Sequence, residues 1–171
     1  MKIRSVIRTL GAFLVVLGLT MVVPLTCSLL YGEDDTRAFL IAIGLTFGTG
    51  LIMYLIAWTK DRKVLLGHRE GFLIVSACWA LAALFGGLPY MLHGTLPSLT
   101  DAYFETMSGF TTTGSTVINK IEGLPHGILL WRSLTQWLGG MGIIILSVAI
   151  LPFLGVGGRQ LFKAEAPGPI K

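Results

Sequence analysis

Ser108-Gly109-Phe110-Thr111-Thr112-Thr113-Gly114-Ser115-Thr116 is a polar, glycine-punctuated stretch set between two apolar runs of membrane length. Non-helical backbone is tolerated at membrane depth only where protein buries it or where it lines a water-filled path. Threonines in sequence, ending at a glycine, can aim successive carbonyl oxygens, helped by hydroxyls, into one lumen. Such a ring replaces the water shell of a permeating cation. The stretch therefore reads as an ion filter; the plainer alternative is a threonine-rich turn at a helix end.

On either side of this loop, apolar runs approach the roughly 20-residue length that a bilayer demands. The sequence predicts spans over about Val6–Leu30, Ala38–Trp58, Phe72–Leu92 and Gly127–Phe153, with Pro24 kinking the outer end of the first. Pro97-Ser98 opens a short helix over Leu99–Ser108, with Ser98 and Asp101 spaced for a shared cap. At about 1.5 Å per residue, this helix crosses only half of the hydrocarbon core. It reads as a re-entrant pore helix whose C-terminal end, with its partial negative charge, points to the membrane centre and favours a dehydrating cation. The fold class is all-α integral membrane: a two-helix N-terminal hairpin followed by one helix–pore loop–helix repeat of a potassium-channel-like fold. The expected units are a hairpin with a basic loop over 1–69, the pore repeat over 70–158 and a linker over 159–171.

Composition supports a membrane chain. Of the 171 residues, 53% are hydrophobic and only 13% charged, and the mean hydropathy is +0.76, far above an ordinary soluble domain. The net charge of +4 sits in short clusters beside apolar spans, which suits an anionic membrane face and, without a basic-aromatic patch, no nucleic acid. Cys27 and Cys78 lie inside apolar runs and read as small buried helix residues, not a disulfide or a metal pair. The N-terminal apolar run is longer than a signal-peptide core and lacks a clean small-x-small cleavage site, so it reads as a retained helix.

The charges also orient the chain. Lys2, Arg4 and Arg8 precede the first span; Lys60, Arg62, Lys63 and Arg69 join the second to the third; Arg159, Lys163 and Lys171 follow the fourth. The opposite loops hold Glu33, Asp34, Asp35, Asp101 and Glu122, with only Arg37 and Lys120 as basic members. The positive-inside bias predicts that both termini are cytoplasmic and that the filter loop opens outward. Asp61 reads as part of a solvated cytoplasmic cluster. His68, His93 and His126 read as loop or interfacial residues, with no spacing that pairs any two as metal ligands.

Candidate site residues follow from this layout. Thr111, Thr112, Thr113 and Gly114 would hold the permeating cation, with Gly114 supplying a backbone conformation closed to residues with a side chain. Glu105 and Arg132 are the ionisable residues expected within membrane depth, where such groups are costly and usually paired or functional. They are expected to pair behind the filter and brace it, against the plainer alternative that each reaches water or backbone near the outer surface. Gly44-x-x-x-Gly48, followed by Gly50, reads as a helix-packing motif. Gly139, Gly140 and Gly142 read either as close-packing residues or as a flexible point where an inner helix gates the pore.

Phe104-Glu105-Thr106-Met107-Ser108-Gly109-Phe110-Thr111-Thr112-Thr113-Gly114-Ser115-Thr116 resembles the first pore loop of the Trk/Ktr/HKT superfamily of potassium transporters. Trp131-Arg132-Ser133 and Gln136-Trp137-Leu138-Gly139-Gly140-Met141-Gly142 resemble the helix that follows it. Gly155-Val156-Gly157-Gly158 through Glu165-Ala166-Pro167-Gly168-Pro169 is similar to the next cytoplasmic linker, and the preceding hairpin resembles the extra N-terminal domain of the TrkH branch. The family uses one filter glycine per repeat, which Gly114 matches. In plant relatives a serine there goes with sodium permeation, so glycine implies potassium preference. The resemblance also implies a homodimer of the full-length protein, a bacterial inner-membrane location and a cytoplasmic nucleotide-binding regulatory partner of the TrkA kind.

Family members carry four pore repeats in one polypeptide, whereas this chain carries one. It is therefore expected to be the N-terminal portion of a longer potassium-uptake protein, with a non-transporting membrane scaffold as the alternative for the chain alone. No cofactor is expected, and no enzyme activity: a phosphate-cradling G-x-x-x-x-G-K-[ST] loop is missing, and Gly114-Ser115 lacks the setting of a nucleophile elbow.

Overall fold

A computed structural model describes residues 3–58 and 68–150, with residues 68 and 145–150 described by their backbone alone. The basic loop with Lys60, Asp61, Arg62 and Lys63, the residues Lys2 and Phe153, and the linker from Gly155 through Arg159 and Lys163 to Lys171 lie outside the described residues. The elements are α1 (Ile3–Thr20), α2 (Val22–Tyr31), α3 (Thr36–Ile56), α4 (His68–Gly86), α5 (Leu88–His93), α6 (Leu99–Phe110) and α7 (His126–Ile150). No strand occurs among the described residues, and the all-helical fold agrees with the membrane-length apolar runs of the sequence.

Among the described residues, Ile3–Tyr31, Thr36–Ile56 and Arg69–His93 are long and apolar enough to cross a membrane. Helix α7 adds a fourth long element of 25 residues, about 37 Å at the helical rise. The first span is broken at Met21, between α1 and α2, one turn ahead of the expected kink at Pro24. Pro24 has no N–H for the Thr20 carbonyl four residues back, and its ring crowds that carbonyl. The third span is likewise divided at Gly87, ahead of Pro89.

Helices α1 and α3 form an antiparallel hairpin at backbone contact distance. A Cβ on Gly11 would lie 2.6 Å from the Tyr54 nitrogen, and one on Gly50 would lie 2.7 Å from the Val15 nitrogen. Small residues permit this approach, which replaces the missing hydrophobic drive between helices in lipid. Here the sequence expectation needs correction. Gly44 and Gly48 face open space, because the packed side of α3 carries Phe39, Ala42, Thr46 and Gly50. At 100° per residue, positions 44 and 48 fall on the other side. At one end of the hairpin, the Arg8 guanidinium lies 5.2 Å from the ring centroids of both Tyr54 and Trp58 and donates to the Tyr54 hydroxyl at 3.3 Å.

The short helix α6 is held from two sides. Ala102 is fully buried against the α4–α5 joint, where a Cβ on Gly87 would lie 3.1 Å from its carbonyl oxygen. On the other side α6 packs on α7, whose Ile128 and Trp131 are fully buried. Trp131 donates its Nε1 to the Gly86 carbonyl at 2.8 Å, tying α7 to α4 behind α6.

Candidate functional site

Helix α6 starts after Ser98, whose extended backbone suits an N-cap, but the Ser98 side chain makes no capping bond. The expected cap between Ser98 and Asp101 is thus not formed; Asp101 remains as a negative charge in the first turn, where the helix dipole favours it. The helix continues to Phe110, two positions past the expected end at Ser108. Its 12 residues span about 18 Å, against roughly 30 Å of hydrocarbon.

The chain then reverses tightly. Thr111 donates both its N–H and its hydroxyl to the Met107 carbonyl, each at 2.8 Å. Thr113 and Gly114 both donate to the Ser108 carbonyl, at 3.0 and 3.4 Å, and the Ser108 hydroxyl donates to the Ser115 carbonyl at 2.6 Å. Thr112 sits at φ 57° and Gly114 at φ 79°; among the described residues Thr112 is the only non-glycine with positive φ. A β-branched residue in the left-handed region is an outlier, and such strain costs on the order of 1–3 kcal/mol and gathers at functional sites. Thr111 through Val117 are all exposed, so the loop offers one open face.

Beneath the loop lies the buried carboxylate of Glu105, contributed by α6. It accepts the Thr116 hydroxyl at 2.9 Å, the Val117 N–H at 3.0 Å and the Arg132 Nε at 2.8 Å. The structure therefore brings Glu105 and Arg132 together, with side chains 2% and 21% exposed. Neither ends alone at the outer surface. Sequence reasoning missed that Thr116 and Val117 are partners of the same carboxylate; the hydroxyl three residues after the last loop threonine was the available signal.

Helix α7 is unbroken through Gly139, Gly140 and Gly142. A Cβ on Gly139 would collide with the Phe110 carbonyl oxygen, so that glycine lets α7 press against the C-terminal end of α6. Gly140 is near the Thr112 methyl, at 3.8 Å for a Cβ, and Gly142 faces open space.

The acidic loop between α2 and α3 reaches this repeat too. Glu33 accepts the His126 N–H at 2.6 Å and the His126 Nδ1 at 2.7 Å, and the Tyr31 and His126 rings stack with centroids 4.0 Å apart. The His126 side-chain hydrogen bond holds the Glu33 carboxyl below its ordinary value, with the His126 backbone N–H and charge adding to the effect and partial burial opposing it. His93 bonds Thr95 at 2.6 Å and approaches Asp34 at 3.4 Å. Among the described residues no three His, Cys, Asp or Glu side chains converge as a metal-ligand set.

The sequence and the fold both match known proteins. The family model described as "Cation transport protein", TrkH, matches residues 40–171. The chain is 50% identical, over its whole length, to the Trk system potassium uptake protein TrkH of Halomonas elongata, and 44% identical to that of Escherichia coli K12; it spans 35% of each. The crystal structure of the potassium transporter TrkH from Vibrio parahaemolyticus matches with a TM-score of 0.85 and 40% identity, over 92% of this chain and 34% of that one. A match over residues 40–171, with apolar helices of spanning length, settles the classification: the chain is an integral membrane protein and belongs to the TrkH family.

Proposed function

We propose that the chain forms the first pore repeat, with its preceding hairpin, of a potassium-uptake protein, and that Thr111, Thr112, Thr113 and Gly114 supply one wall of a carbonyl-lined filter. The observation that carries this reading is the tight reversal after a half-length helix, with Thr112 and Gly114 at positive φ and an exposed face from Thr111 to Val117. The relatives' names as potassium uptake proteins point the same way. Potassium is the substrate, with loop carbonyls replacing its hydration; the protein moves an ion and carries out no chemical conversion. Glu105 and Arg132 brace the filter from behind, and Gly139 seats α7 against the pore helix.

A single loop contributes about a quarter of each carbonyl ring. Transport therefore belongs to the full-length protein, and the exposure of the whole loop favours inactivity of the 171-residue chain by itself. The charge pattern supports cytoplasmic termini and an outward-facing loop in the bacterial inner membrane. Homodimerisation and a TrkA-like nucleotide-binding partner complete the proposal, and the spans themselves present apolar side chains such as Leu19, Leu40, Ile52 and Leu55 to lipid.

Gly114→Asp in the full-length protein tests the filter assignment. It should abolish potassium uptake at normal membrane abundance. Unchanged uptake would remove the loop from the ion path and leave a scaffold role for this region.

A further inference from the structure

Asp35 lies outside the pore repeat, in the loop between α2 and α3, yet its side chain is inserted at the start of α7. The residue is fully buried. One carboxylate oxygen accepts the Ser28 hydroxyl in a short hydrogen bond, and Ser28 also meets the Thr36 hydroxyl at 2.6 Å. The other oxygen accepts the Ile128 N–H at 3.1 Å. Gly127 makes room for it, because a Cβ there would collide with that same oxygen. The first N–H groups of a helix have no partner within it, and an anionic acceptor there is favoured by the helix dipole. Helix α7 has no acidic residue in its own first turn; the hairpin supplies one from 93 residues away.

Ile128 and Arg132 are four residues apart, so they lie one turn apart on one face of α7. Arg132 in turn holds Glu105, which holds Thr116 and Val117 at the exit of the loop. Apart from the helix turn between Ile128 and Arg132, each link is a hydrogen bond to a charged group. The height and rotation of α7 that place Arg132 on Glu105 are thus held at the Asp35 end, together with the Glu33–His126 bonds from the same hairpin loop and the Trp131–Gly86 bond one turn further on.

We propose that Asp35 is a positioning residue for the ion filter: the N-terminal hairpin sets the register of α7, and through Arg132 and Glu105 it sets the geometry of the loop. The proposal rests on the filter reading given above. It assigns to the hairpin, which contributes nothing to the loop itself, a role in ion discrimination.

The test uses the full-length transporter in an uptake-deficient bacterium, with potassium KM, maximal rate and the potassium-to-sodium uptake ratio measured for Asp35→Ala, Glu105→Gln and the double variant. Asp35→Ala should raise KM and lower the uptake ratio by about three- to tenfold, the range seen for substitutions within a coupled network, at normal membrane abundance. The double variant should shift the ratio no further than Glu105→Gln alone, because both act through one path. If Asp35→Ala fails to reach the membrane, Ser28→Ala removes the hydroxyl donated to Asp35 and should give a smaller shift in the same direction. A lower melting temperature with unchanged KM and ratio would make Asp35 purely structural and overturn the proposal. Additive effects in the double variant would also overturn it. If Gly114→Ser, measured alongside, leaves the ratio unchanged, the filter reading fails first, a result distinct from failure at Asp35 alone.

Discussion

Arg132 on α7 donates its Nε to Glu105 Oε1 on α6 at 2.8 Å, and the same carboxylate takes the Thr116 hydroxyl and the Val117 N–H. Two helices and the returning loop therefore meet at one buried anion. Removing one partner of a buried pair costs about 3–5 kcal/mol in enclosed sites, and the 21% exposure of the Arg132 side chain places this pair at the low end. Arg132→Gln and Glu105→Gln should each lower the melting temperature of the purified full-length protein. In the double variant the losses should fall short of their sum by on the order of 1 kcal/mol. Exchanging the two charges should not restore uptake, because an arginine at position 105 has no acceptor for Thr116 and Val117. Simple additivity, or full recovery on exchange, would refute the shared-carboxylate account.

Gly139 and Gly142 should respond oppositely to alanine. A methyl on Gly139 meets the Phe110 carbonyl, and overpacking of this kind typically costs about 1–3 kcal/mol. Gly142 faces open space within an unbroken helix, where alanine should stabilise by roughly 0.5–1 kcal/mol. Gly139→Ala is expected to lower both stability and uptake, and Gly142→Ala to leave uptake near normal. Loss of uptake in Gly142→Ala with a higher melting temperature would place a hinge there.

Tyr90 is fully buried and its hydroxyl has no hydrogen-bond partner among the described residues. Removing an unpaired buried polar group relieves its desolvation, so Tyr90→Phe should be neutral or stabilise by up to about 1 kcal/mol. A marked loss in thermal unfolding would mean that the hydroxyl is satisfied in the full-length protein.

The contact between Glu33 and His126 carries a pH dependence of definite sign. A carboxylate whose pKa falls on folding contributes stability above its ordinary value, 4.5 for glutamate, and loses that contribution as pH falls through the lowered value. Melting temperature in the full-length protein should therefore drop below about pH 4.5 by more in the parent than in Glu33→Gln. Equal drops in the two proteins would show that the contact contributes nothing to folding.

Most of the fold was legible because bilayer thickness turns length and hydropathy into element boundaries. The half-length helix, expected over Leu99–Ser108 and observed over Leu99–Phe110, stood out for the same reason, and the Glu105–Arg132 pair followed from the cost of isolated charges at depth. Local competition was harder to read. The break at Met21 falls a turn before Pro24 because the lost bond belongs to the Thr20 carbonyl. Gly44 and Gly48 satisfied a packing pattern but lie on the wrong face, since α1 presents its own Gly11 and Gly18 to the Gly50 side. Contacts between the hairpin and the pore repeat were not legible. Asp35 and Glu33 looked like ordinary outer-loop charges, and nothing local shows that their oxygens cap a helix 93 residues downstream.

The most direct test of the filter assignment is the potassium-to-sodium uptake ratio of Gly114→Ser in the full-length transporter. Gly114 sits at φ 79° with nothing within 4 Å of a Cβ, so serine meets backbone strain and not a clash, and the change acts on loop geometry. A ratio reduced several-fold at normal abundance is the predicted result. An unchanged ratio, with the variant protein present in the membrane, would contradict the assignment of Thr111–Gly114 as the wall of the ion path.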